Sequence, residues 1–362
     1  LSMTQDSEGF LWIATEDGLN RFDGHSFVSF RHRRDAKPGK VLSNSYVFAV
    51  EQHPASGDLW IATDGGGVVR YSTRSGIFRA FRHDPNNAGT LASDHVRDLY
   101  IDARGIVWAA TRDQGLDRID PTSGAVAHFR HDAGDPQSIG SDELFAIAGD
   151  ASGALWIGTN GGLSRVVPQT GRAETYTHNP QDPRSLAGNR VRAIHEDSSG
   201  SIWVGSERAG LSRLDRGTGS FERFLHDPAD STSLSHATVR AILEDSGRRL
   251  WVGTSRGLNL LDRDAGTFTR YQRDPADPFS LTDDHVYSLY QDAGDVLWVG
   301  TRAGGLNKWN PRSWSFGHVG PATDGQEGLR SPMVTSFAED NLGRVWIGTL
   351  GGGLHRVDRV AC

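Results

Sequence analysis

The chain has 362 residues, 36% of them hydrophobic, and a formal net charge of −7 from 38 Lys and Arg against 45 Asp and Glu. That length can bury a large core, the charge carries no global basic signature for nucleic acid, and no apolar run approaches the roughly 20 residues of a membrane helix. The single cysteine, Cys362, excludes an intrachain disulfide, and 44 glycines suit a turn-rich all-β chain.

The first apolar run begins at once with Leu1-Ser2-Met3-Thr4, and Leu1 is no initiator. The sequence therefore reads as a piece of a longer chain, with any leader or membrane anchor outside it. Phe10-Leu11-Trp12-Ile13-Ala14-Thr15, Gly18 to Gly24 and Phe27 to Phe30 follow as three more short strands. The link to the next unit is basic, Arg31-His32-Arg33-Arg34 and Lys37 to Lys40, and reads as a solvated charged loop in preference to an anion site.

Trp12 is the first of a series continued by Trp60, Trp108, Trp156, Trp203, Trp251, Trp298 and Trp346, at steps of 48, 48, 48, 47, 48, 47 and 48 residues. Repeats of this length with several short strands each close into propellers. One unit shows the pattern. Val191 to Ile194, Ile202 to Gly205, Leu211 to Asp215 and Phe221 to Phe224 are four apolar runs separated by turns at Gly200, Gly210 and Thr218-Gly219. The expected fold is all-β, a β-propeller of four-stranded antiparallel blades. A residue repeated in every blade serves packing, so the tryptophans fill the wedge between blades and function resides where the repeats differ.

Connectors such as His83-Asp84-Pro85 to Leu91, His178-Asn179-Pro180 to Leu186 and His226-Asp227-Pro228 to Leu234 join successive units, the leucine plugging the loop onto its blade. The connector from Gly317 to Pro332 departs from this template, and the last unit shows three strands. Residues 1–332 are thus expected to form seven repeats and 333–362 an eighth, three-stranded one. The altered connector favours a seven-bladed ring, the eighth repeat starting a following propeller; the alternative is an eight-bladed ring that it closes.

Units of the form Asp-x-x-Gly-x-Leu-Trp-[Ile/Val]-Gly-Thr, then Gly-Leu-x-Arg and the His-Asp-Pro and Ser-Leu connector, resemble two-component regulator propeller repeats. The resemblance covers nearly the whole chain. It implies the periplasmic sensor region of a bacterial hybrid histidine kinase or diguanylate cyclase, a carbohydrate-type ligand, and a membrane-anchored output domain in the same full-length chain. It fixes no ligand residues.

Those follow from blade geometry. The loop before the innermost strand and the loop between the second and third strands share one face. The varying positions are Tyr46, Phe48, His95, Arg97, Glu143, Phe145, Arg190, Arg192, Thr238, Arg240, His285 and Tyr287 in the first set and Glu16, Asp64, Arg112, Asn160, Arg208, Arg256 and Arg302 in the second. The ligand candidates among them are Tyr46, His95, Arg97, Arg192, Arg240, His285, Tyr287, Arg112, Arg208, Arg256 and Arg302. Arginine forks with aromatic faces suit a sugar, an anionic oligosaccharide or another small polar ligand. No cofactor, metal or nucleic acid is expected, and a homodimer is open. His83, His131, His178 and His226 occupy one repeated connector position, which spreads them round a ring instead of gathering them at a metal. Asp102, Asp150, Asp197, Asp245, Asp292 and Asp340 each precede a turn and read as structural turn acceptors, not calcium ligands. No Gly-x-Ser-x-Gly, His-Glu-x-x-His or phosphate-loop motif occurs. A streptogramin-lyase-like enzyme using His95 or His285, and a protein-docking scaffold, are the alternatives to a non-catalytic sensor.

Overall fold

The computed structural model describes residues 1–309, apart from 38 and 278, and the backbone of three further strands, Val334–Glu339, Val345–Thr349 and Gly353–Val357. The unit expected at 191–224 forms Val191–Glu196, Ile202–Ser206, Gly210–Asp215 and Ser220–Phe224, paired antiparallel in chain order. Six such meanders and a seventh with three strands succeed one another up to Trp309. Their inner strands are Ser2–Gln5, Val47–Gln52, Val96–Ile101, Leu144–Gly149, Val191–Glu196, Val239–Glu244 and Val286–Gln291.

Each inner strand neighbours the next, and the seventh neighbours the first. The molecule is a seven-bladed propeller. The eight-bladed ring is thereby excluded, because no place for another blade exists between Val286–Gln291 and Ser2–Gln5. The strands between 334 and 357 pair into a sheet of their own, in a second unit, Pro311–Cys362, distinct from Leu1–Asn310. The outer strand expected for the seventh blade, like Asp340, falls outside the described residues.

The junction between the last blade and the first shares no strand; it relies on a latch found elsewhere in the ring. The final residue of an inner strand reaches back to the turn of the preceding blade: Glu196 accepts from the Ala151 N–H at 2.7 Å, Glu244 from Ser198 at 2.6 Å and Gln291 from Ser246 at 2.7 Å. Gln5 accepts from the Ala293 N–H at 2.8 Å, so the closing junction is made like three ordinary ones. Phe22 also meets Trp298 edge-on, 6.0 Å between ring centres.

The repeated residues do repeated structural jobs. Trp203 is fully buried among Val239, Leu250 and Val252 of the following blade, and truncating such a side chain costs about 3–5 kcal/mol. Its indole N–H donates to Asp197 at 2.7 Å, while the other carboxylate oxygen accepts the turn N–H groups of Ser199 and Ser201. The same Asp–Trp pair, six residues apart, recurs at Asp6, Asp102, Asp150, Asp245 and Asp292. Connector histidines bond locally: His83, His131, His178 and His226 place Nδ1 within 2.7 to 2.8 Å of the carbonyls of Leu91, Ile139, Leu186 and Leu234. Those four apolar residues are essentially inaccessible, the plug expected of them.

Candidate functional site

The two loop sets share a face, as blade geometry requires. The N–H of Asp64 bonds the Tyr46 carbonyl, and Arg112 with His95, Asn160 with Glu143, Glu207 with Arg190, Ser255 with Thr238 and Arg302 with His285 repeat that bond. The hairpin between second and third strands is thus tied to the start of the inner strand.

One irregularity builds the site. In blades two to seven the register between inner and second strands slips by one residue near its start, and the unpaired residues are Phe48, Arg97, Phe145, Arg192, Arg240 and Tyr287. A β-bulge takes a residue out of the ladder and re-aims its side chain. Here all six line one cavity of about 210 Å³ at the mouth of the central channel.

Three guanidiniums surround Phe145, with their central carbons 4.4 Å (Arg97), 5.1 Å (Arg190) and 3.9 Å (Arg192) from the ring centre. Arg97 donates to the Leu144 carbonyl at 3.1 Å and lies 3.4 Å from Glu143. Arg192 forks onto one oxygen of Glu207, at 2.8 and 2.5 Å. Arg190 lies between the two acids, 3.6 Å from Glu143 and 3.3 Å from Glu207, but its Nε lacks the alignment of a hydrogen bond. Arg240 stands over Tyr287 at 4.7 Å; its Nε is buried without a hydrogen-bond partner, and it makes no ion pair among the described residues.

Burial lowers Arg97 and Arg192 from the usual guanidinium range, with Arg192 adding to the effect on Arg97. At Glu207 burial acts upward, but the hydrogen bond and charge of Arg192 outweigh it and hold the carboxyl low. Asp98 also lines the cavity; burial pushes it up to about 7, against the N–H bonds from Ile147 and Leu99. Below, Glu51 is pushed up to about 8 by burial and then by Asp98. Both keep a little surface on the narrow channel, yet surrounding protein strips most water from their charge.

The structure gathers Arg97, Arg192, Arg240 and Tyr287, and leaves the other expected residues elsewhere on the face. Tyr46 touches the back of the mouth through Phe48, 4.8 Å between rings, while its hydroxyl donates to Glu16 at 2.9 Å and is pushed up to about 12 by burial and that bond. His95 pairs with Asp64 at 2.5 Å beside a depression lined by His83 and Asp113. His285 and Arg256 line another depression with His236, and Arg302 lies in a cleft between the seventh and first blades. Arg112 and Arg208 are exposed, Arg208 in a left-handed backbone conformation. Sequence reasoning missed Asp98 and Glu207. Alignment of the repeats could have found Asp98, because the equivalent residues are Ala49, Ala146, Ala193, Ala241 and Ser288.

Four segments, residues 185–208, 233–256, 280–303 and 328–351, match the two component regulator propeller family. No curated protein matches the chain. Among solved structures, the extracellular domain of a hybrid two component system from B. thetaiotaomicron is similar with a TM-score of 0.73 and 23% identity, over 99% of this chain and 51% of its own. A second such domain from the same organism gives 0.68 and 21%, over 99% and 44%. Virginiamycin B lyase from Staphylococcus aureus gives 0.61 and 15%, over 85% and 93%. The chain therefore spans about half the length of the two component domains it matches, and at these identities the likeness is one of fold. No helix among the described residues is long and apolar enough to cross a membrane. The chain thus combines seven blades and recurring Asp–Trp pairs with four segments that match the two component regulator propeller repeat.

Proposed function

We propose that this chain is the non-catalytic ligand-sensing propeller of a membrane-bound bacterial signalling protein, and that its ligand, a small polar molecule such as a carbohydrate, enters the channel mouth. The observation that carries this reading is the set of six bulges, which turns one non-identical position of the inner strands into a single cavity holding three arginines and three aromatic rings. Work in the periplasm, and an output domain of the histidine kinase or diguanylate cyclase type elsewhere in the full-length chain, accord with the four matched repeats and with the extracellular domains the chain resembles. His95 and His285 line separate depressions, so no acid–base pair forms from them.

A thermal-shift screen with uronic-acid and neutral oligosaccharides as separate sets tests this, because a ligand at about 100 times its Kd adds about 2.7 kcal/mol to the folded state. The expected result is a raised Tm with ligand recovered intact, lost when Arg97, Arg192 and Arg240 are all changed to Gln. A ligand recovered cleaved or rearranged replaces the sensor reading with an enzyme. A shift indifferent to the triple change removes the mouth as the site.

A further inference from the structure

The charges of the mouth do not balance. Arg97, Arg190, Arg192 and Arg240 face two carboxylate partners, Glu143 and Glu207, and those acids are committed to Arg97, Arg190 and Arg192. Asp98, pushed up to about 7, offsets only part of the remainder at neutral pH. Two positive charges are left before that offset, and the structure localises one. Arg240 has no carboxylate partner among the described residues, and its buried Nε has no acceptor. A buried donor without an acceptor costs about 1–3 kcal/mol, a cost recovered when an acceptor arrives.

The neighbouring groups favour a charged ligand over a neutral ring. A pyranose would need an open aromatic face, but Phe145 is engaged by three guanidiniums, Phe48 by Tyr46, and Tyr287 already carries Arg240. Arg97 and Arg192 are fixed by their own acceptors, so they contribute field and rigidity while Arg240 keeps donors to give. The cavity, about 210 Å³, accepts a small molecule or the charged end of a larger one.

We propose that the mouth is an anion site for one compact oxyanion group, a carboxylate, sulfate or phosphate, received by Arg240. This rests on the sensing reading and specifies the charge of its ligand. Inorganic phosphate is the probe: calorimetric titration of the 362-residue chain in low-chloride buffer should give saturable binding at one site per chain. Arg240→Gln should weaken it about tenfold or more, Arg240→Lys less, and Arg256→Gln, on the same blade and face but outside the mouth, should leave it unchanged. Lack of saturable binding overturns the proposal, as does equal affinity in Arg240→Gln. Should that variant not fold, Arg240→Lys decides: its retained charge without the planar fork must give weaker binding, and unchanged affinity counts against Arg240. The two readings fail separately. A neutral sugar whose thermal shift survives Arg240→Gln but not the triple change keeps the sensor and removes the anion, whereas phosphate bound at Arg240 with no response to either oligosaccharide set does the reverse.

Discussion

Two arcs of this ring are built differently. From the fourth blade round to the first, every junction is latched by a Glu or Gln from the inner strand onto a turn N–H, and every tryptophan there donates to an aspartate. From the first blade to the fourth the latch lapses, and in the second blade the Asp–Trp bond does too. Gln52 reaches the first blade only through the Ser7 hydroxyl at 3.4 Å, its amide also donating to the Gly57 carbonyl of its own blade, and Ile101 and Gly149 stand where the next two latches would be. A Cβ at Gly149 would collide with the Tyr100 hydroxyl. In the second blade His53 replaces the aspartate, bonds the Gly105 carbonyl, and leaves the buried indole N–H of Trp60 without an acceptor. The desolvated acids Glu51 and Asp98 belong to this same arc. The repeat therefore tolerates local losses, which here lie on one side of the ring, consistent with stability that sums over neighbouring units.

The largest effect should come from imposing the second blade's defect on a latched one. Asp197→Ala removes the acceptor of Trp203, of two turn N–H groups and of Arg263, which lies 2.8 Å away. Breaking a buried charge pair costs about 3–5 kcal/mol, and because Arg263 keeps Glu244 we expect the lower end, about 3 kcal/mol, in chemical denaturation. Trp60→Phe is the contrasting change. It deletes an indole N–H that has no partner, so its cost should stay within about 1 kcal/mol, below that of Trp203→Phe. Equal costs for the two phenylalanine variants would show that the Asp–Trp bond contributes nothing.

The pH dependence separates the arcs next. Burial pushes folded Glu51 up to about 8 and Asp98 up to about 7, from 4.5 and 3.8 in the unfolded chain, so the native state holds protons that the unfolded chain has released. Their contribution is complete below the unfolded values and is lost as pH rises through the folded ones. Tm should therefore fall from about pH 4 to about pH 8 and level off above that. Glu51→Gln, which has no charge to desolvate, should flatten that fall and exceed the parent chain by about 1 kcal/mol or more at pH 9. Asp197 behaves oppositely: burial alone would raise it, but Arg263, Ser199 and Trp203 hold it well below the carboxylate range, so its stabilising share disappears only in strong acid.

The tryptophan spacing made the blades legible, and their strands lie within a residue or two of the apolar runs because period-two alternation and glycine turns are local signals. Ring closure was only half legible: repeat counting allows seven or eight, and the choice depends on contacts between Ser2–Gln5 and Val286–Gln291, almost the full chain apart. The site was legible as a face but not as a cavity. Arg97, Arg192 and Arg240 fall at expected positions, but what distinguishes them from Arg112, Arg208 and Arg302 is a one-residue register slip, invisible to a pattern that assumes strict alternation. Glu207 escaped notice because its role is set by Arg190 and Arg192, just before and within the neighbouring strand Val191–Glu196.

The smallest predicted effect concerns why the latch fails between the second and third blades. Wherever a latch exists, its donor is the residue just after the turn aspartate: Ala151, Ser198, Ser246 or Ala293. After His53 that position is Pro54, which has no N–H, so a glutamine in place of Ile101 would find nothing to accept from. Ile101→Gln alone should therefore only lose the packing of its side chain against the second and third blades. Pro54→Ala alone restores the donor but meets an isoleucine. The double change should be more stable than the two single effects added together by about 0.5–1.5 kcal/mol, the worth of one net hydrogen bond. Strict additivity in that double-mutant cycle would mean that the latch is a consequence of blade spacing and contributes no stability of its own.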